Sequence, residues 1–123
     1  AEIGRIFKLL GSPSQLGVCF DSCHLFAAGY DIRTNEGINQ VIEELDCGAG
    51  SECIKAVHFN DSKFGLGSHK DRHARIGTGE IGADGLRTVL LHPALHMLPF
   101  ILETPVDDYE QYAEEISAVR ALL

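Results

Sequence analysis

The chain has no apolar run of the roughly 20 residues that a membrane-spanning helix needs, which excludes such a span. It opens with no basic-then-apolar leader, so nothing signals secretion, and an intracellular place (the cytoplasm, in a bacterium) is the expectation. It has no surplus of basic charge: a formal net charge of −8 argues against holding nucleic acid on a uniformly basic surface. Its four cysteines, Cys19, Cys23, Cys47 and Cys53, include no Cys-x-x-Cys pair. Without a secretory signal they read as reduced, buried thiols in preference to a structural zinc site at Cys19 and Cys23. No Gly-x-Gly-x-x-Gly follows a strand, so Gly77 and Gly79 read as backbone turns and not as a nucleotide cradle. Internal repeats and low-complexity segments are missing as well.

What is there fits one small domain: 123 residues, 45% of them hydrophobic. The amphipathic pattern starts at once, as expected of a chain that begins partway through a larger protein. Glu2 to Leu10 sets Ile3, Ile6, Phe7 and Leu10 on one helical face, closed by Gly11 and stopped by Pro13. Leu16 to Asp21 reads as a short buried strand and Leu25 to Arg33 as a loop. Thr34 suits the N-cap of a helix from Asn35 to about Asp46, with Ile38, Val41, Ile42 and Leu45 as its stripe. A Gly-rich connection, Asp46 to Glu52, leads to a second strand, Ile54 to Phe59. Asp84 to about Leu91 reads as a helix that turns Leu86, Val89 and Leu90 inward. Pro99 to Leu102 is a third strand, and Asp107 to Leu123 a final helix with Tyr112, Ile116, Val119 and Leu123 as its stripe. Strands alternating with helices imply an α/β fold of right-handed βαβ units around a parallel sheet. The carboxyl ends of such strands share one rim, where α/β folds carry their chemistry.

Each strand delivers a candidate metal ligand to that rim: Asp21 with His24, then His58, then Glu103. The loop after the second strand adds Asp71 and His73. On an extended backbone, residues two apart point the same way, so Asp-x-His can offer a carboxylate and an imidazole to one cation. Zinc takes such ligands at about 2.0–2.2 Å. Six groups of these types on one rim predict a metal centre rather than six separately satisfied polar residues. Between Ser62 and Arg75, Lys63, Lys70, Arg72 and Arg75 stand against the single acid Asp71, and bound cations would add to this local positive charge. Asn60 and Asp61 either orient the ligands or close the turn. His69, His92 and His96 read as surface residues.

The stretches Gly17 to His24, Phe26 to Thr34, His58 to Lys63, Gly67 to His73, Ile76 to Gly82 and Ile101 to Thr104 resemble, in the same order, the C-terminal part of the endonuclease IV family. That resemblance implies a TIM barrel with three zinc ions on its carboxyl rim, cutting double-stranded DNA on the 5′ side of abasic sites and leaving a 3′-hydroxyl. It implies that Asp21, His58 and Glu103 serve one zinc at the catalytic centre and that His24, Asp71 and His73 serve another. It further implies metal-assisted hydrolysis, with attack in line on phosphorus and water activated by zinc. Arg72, Lys63 and Lys70 are the candidates for holding the DNA backbone. Manganese is a possible substitute at such mixed sites. The family's third ion needs a bridging glutamate and other ligands from earlier strands; Glu2 lies on a helix and does not match. A TIM barrel has eight strands and three are legible here. Residues 1–123 therefore read as the C-terminal portion of a single barrel domain, inactive alone and prone to self-association through its exposed sheet edges. The competing reading is a sugar isomerase or epimerase of the xylose-isomerase-like barrels, which also uses carboxylate and histidine ligands.

Overall fold

A computed structural model describes residues 2–11, 13–45 and 50–123. Helix α1 (Glu2–Leu9) precedes strand β1 (Val18–Asp21), which runs directly into helix α2 (Ser22–Ala28). Helix α3 (Asn35–Leu45) and a short 3-10 turn (Gly50–Cys53) lead to strand β2 (Ile54–His58). The long loop folds on itself through a two-residue antiparallel ribbon, β3 (Asp61–Ser62) with β4 (His73–Ala74). Helix α4 (Gly82–Leu91), strand β5 (Phe100–Ile101) and helix α5 (Gln111–Arg120) follow.

The sheet has the order β1-β2-β5, all parallel. Its register sets Asp21 beside His58 and His58 beside Ile101. Alternation along each strand gives the sheet two unlike faces. Phe20, Val57 and Phe100 share the face that packs on the core, where Ile38, Leu86 and Val89 from α3 and α4 are fully buried. Asp21, His58 and Ile101 share the other. That face is open: Ile101 is 46% exposed, and Cys19 is exposed with a free thiol. The described residues form a parallel sheet with helices and no closed barrel, as expected of part of a TIM barrel.

Several expectations are corrected. The first half of the supposed loop Leu25–Arg33 is helical, because Asp21 caps α2 by accepting the His24 amide at 2.9 Å and Gly29 ends it at φ 108°. The stripe of α1 is not buried: Ile3, Ile6 and Leu10 are more than half exposed, and among them only Phe7 reaches the core. Helix α5 begins at Gln111, not Asp107, and Ile116 and Leu123 stay exposed. Instead Tyr112, Ile116 and Val119 face Phe59, Phe100 and Leu102 across an open apolar groove of about 440 Å³. Among the described residues no further layer covers these stripes. Leu16 is exposed and the first strand starts at Val18. His92 is buried, not on the surface. Cys53 is disulfide-bonded rather than reduced. The expected end of α3 at Asp46 and the expected thiol at Cys47 lie outside the described residues.

Candidate metal centre

Asp21 ends β1 and caps α2, and the two roles divide its carboxylate. Oδ1 accepts the His24 amide at 2.9 Å, while Oδ2 stands 3.3 Å from His58 Nδ1. Glu103 Oε2 approaches the same ring nitrogen at 3.1 Å. The three donor atoms of Asp21, His58 and Glu103 lie within 4.8 Å of one another. Two carboxylates converging on one imidazole give a compact, electron-rich cluster. One nitrogen and two carboxylate oxygens form a donor set that suits Zn²⁺, with further positions open. The side chains are 22–44% exposed, so an ion can reach them.

The ribbon β3–β4 brings the loop back over α2 and forms a second cluster. Asp71 Oδ2 lies 3.2 Å from His24 Nδ1, and Asp71 Oδ1 lies 3.9 Å from His73 Nε2. His73 Nδ1 donates to the Glu103 carbonyl at 2.9 Å, which fixes the tautomer and leaves the Nε2 lone pair towards Asp71. This bond also ties the two clusters together. Cys23 joins the group: its sulfur sits within 4.8 Å of donor atoms of Asp71 and His73. Burial pushes the Cys23 thiol up to about 11, so it is a neutral donor, bonded to the Arg72 carbonyl at 3.4 Å. Burial also opposes ionisation of Asp71, but its polar contacts with Cys23 and His24 hold its carboxyl below the usual range. His24 offers a ring nitrogen with 67% of its side chain exposed. The donor atoms that meet within 4.8 Å are those of Cys23, Asp71 and His73, while His24, expected in this set, reaches Asp71 alone at 3.2 Å. Sequence reasoning missed this role of Cys23. Its place on the first turn of α2, next to His24, was the available signal.

Asn60 and Asp61 are both fully buried and do different things. Asp61 accepts the amides of Ser62, Gly79, Ile81 and Gly82 at 2.8–3.3 Å, so it closes the 79–82 turn. A side chain at Gly79 would collide with the Ser62 carbonyl. Asn60 accepts the Glu103 amide on Oδ1 at 2.8 Å and so acts on the site.

Of the basic residues, Lys63 and Arg72 line a cleft of about 570 Å³ together with Phe64, Asp71, His73 and Glu103. Lys70 Nζ lies 4.7 Å over the Phe64 ring beside it. Arg72 also donates to the Asp71 carbonyl at 2.7 Å. Arg75 turns away to Pro105 and Gln111 and anchors the start of α5. His69 and His96 are exposed and take no part in either cluster.

A family model of the xylose isomerase-like TIM barrels matches residues 1–122. A protein of Moorella thermoacetica named "Probable endonuclease 4" is 51% identical over 127 residues, which cover 98% of this chain and 46% of that protein. One of the same name from Methanosphaerula palustris is 48% identical over 121 residues, covering 98% and 42%. The crystal structure of endonuclease IV from Thermus thermophilus superposes with a TM-score of 0.76 at 40% identity, over 98% of this chain and 43% of that one. The chain thus spans less than half the length of these relatives.

Proposed function

The chain belongs to the xylose isomerase-like TIM barrel family, on its endonuclease IV branch, and from that premise we propose that it is the C-terminal portion of a zinc-dependent endonuclease that cuts DNA 5′ to abasic sites and leaves a 3′-hydroxyl. The observation that carries this reading is the convergence of Asp21, His58 and Glu103 at one end of a parallel sheet. In it Asp21, His58 and Glu103 hold one cation, and His24, Asp71 and His73 a second. When bound, a divalent cation supplies Lewis acidity to the phosphate and brings the pKa of a water towards neutrality. Mixed nitrogen and oxygen donors favour zinc and also accept manganese. His73 keeps its Nε2 turned to the site through the Glu103 carbonyl. Lys63, Lys70 and Arg72 seat backbone phosphates along the adjoining cleft. A DNA substrate accords with an intracellular place. Kinship with proteins named endonuclease does not favour the sugar isomerase or epimerase reading.

The test is an abasic-site duplex offered to a chain extended by its missing barrel strands. Nicking 5′ to the abasic site with a free 3′-hydroxyl is the expected product, and Glu103→Gln lowers the rate by about 100-fold or more. Ketose–aldose exchange without nicking would overturn the reading. The 123-residue chain alone is expected not to nick, because the third ion's ligands lie outside it.

A further inference from the structure

The ladder bonds of the sheet end where the ligands begin. The Asp21–His58 pair is the last between β1 and β2. The Phe59 amide on the Ile101 carbonyl, at 2.8 Å, is the last backbone bond between β2 and the β5 segment. Beyond that point buried side chains take over. Ser22 Oγ donates to the Asn60 carbonyl at 2.6 Å and accepts the Asn60 amide at 2.9 Å. Asn60 Oδ1 then accepts the Glu103 amide at 2.8 Å. Ser22 and Asn60 are both completely buried. Ser22 adjoins Asp21, Asn60 is two residues past His58, and Glu103 is itself a ligand. The chain of bonds therefore crosses all three strand ends at the level of the first cluster.

We propose that Asn60, held by Ser22, is a positioning residue that sets the spacing of Asp21, His58 and Glu103 for a divalent cation. The inference rests on the metal reading of that cluster. A two-residue strand gives Glu103 little support of its own, so its backbone is placed by Asn60 rather than by the sheet. Asn60 Nδ2 has no partner among the described residues although it is buried.

The experiment uses the 123-residue chain and Co²⁺ as a spectroscopic stand-in for zinc, with affinity and ligand-field absorption read by titration. Asn60→Leu is expected to weaken Co²⁺ binding by about 10- to 100-fold and to shift the absorption bands, as loss of a group that orients metal ligands does. Ser22→Ala, which leaves the Glu103 bond in place, shifts both in the same direction by less and covers the case in which the leucine variant does not fold. Thr104→Val removes a buried, unpartnered hydroxyl next to Glu103 and leaves the affinity unchanged. A variant that loses thermal stability but keeps the parent affinity and spectrum overturns the positioning role. If the parent chain gives no Co²⁺ spectrum sensitive to Asp21→Ala, the metal reading fails first, and the proposal fails with it.

Discussion

Both oxygens of Asp61 face backbone amides. Oδ1 takes those of Ser62, Ile81 and Gly82, and Oδ2 takes that of Gly79. An asparagine there would turn an NH₂ group towards amide donors and leave at least one buried N–H unmatched. Asp61→Asn is therefore expected to cost about 2–3 kcal/mol, seen as a lower urea midpoint with an unchanged slope. An unchanged midpoint would show that the 79–82 turn holds without this carboxylate. The neighbouring Asn60 faces the ligands instead, so two adjacent polar residues divide turn closure and site support between them. At this scale the sequence announced six candidate ligands, Asp21, His24, His58, Asp71, His73 and Glu103, of which all but His24 meet in the two clusters. It could not divide the roles of Asn60 and Asp61, because a side chain's partner is set by which loop folds over it.

Helix α3 shows how much of an element local chemistry dictates. Thr34 Oγ1 accepts the Gly37 amide at 3.1 Å, as expected of an N-cap, and Ile38, Val41 and Leu45 are buried on one face. Thr34→Ala should lower stability by about 1 kcal/mol, measured by thermal melting. His92 belongs to the same scale, since it joins the end of α4 to α3. Its Nδ1 accepts the Ala94 amide at 3.2 Å, and its Nε2 lies 3.2 Å from Asn39 Oδ1. Burial holds its pKa below the ordinary 6.5. Between that value and the depressed folded one, the unfolded chain binds a proton that the folded chain refuses. Stability is thus full above 6.5, falls as pH drops through this window, and levels off below it. Denaturation curves across the window should show the loss in the parent and a flatter dependence in His92→Gln; equal slopes would refute the assignment. Helix α2 was not legible: its apolar positions are too few for a period, and it depends on the Asp21 cap.

The whole molecule leaves apolar surface uncovered. Ile3, Ile6 and Leu9 on α1 are more than half exposed, and the groove between β5 and α5 is open. The outer edges of β1 and β5 have no strand partner among the described residues. Unpaired edges and apolar patches of this kind favour association. Sedimentation velocity over a rising concentration series is expected to show dimers or larger species, and a monomer throughout would contradict this. Among the described residues, no helix is long and apolar enough to cross a membrane. The uncovered faces fit either the remainder of a barrel or a second copy of the chain.

The sequence by itself determined the alternation of three sheet strands with helices α1, α3, α4 and α5, the core stripes of α3 and α4, the Thr34 cap and the types of side chain that gather at the end of the sheet. These follow from periodicity and from side-chain chemistry that acts over a few residues. Only the tertiary structure decided that Asp21 and Glu103 meet at one nitrogen of His58, that Cys23 and His24 share Asp71, and that the stripes of α1 and α5 stay uncovered. Such outcomes depend on strand register and on which layers are present to pack, and neither is encoded within any single segment.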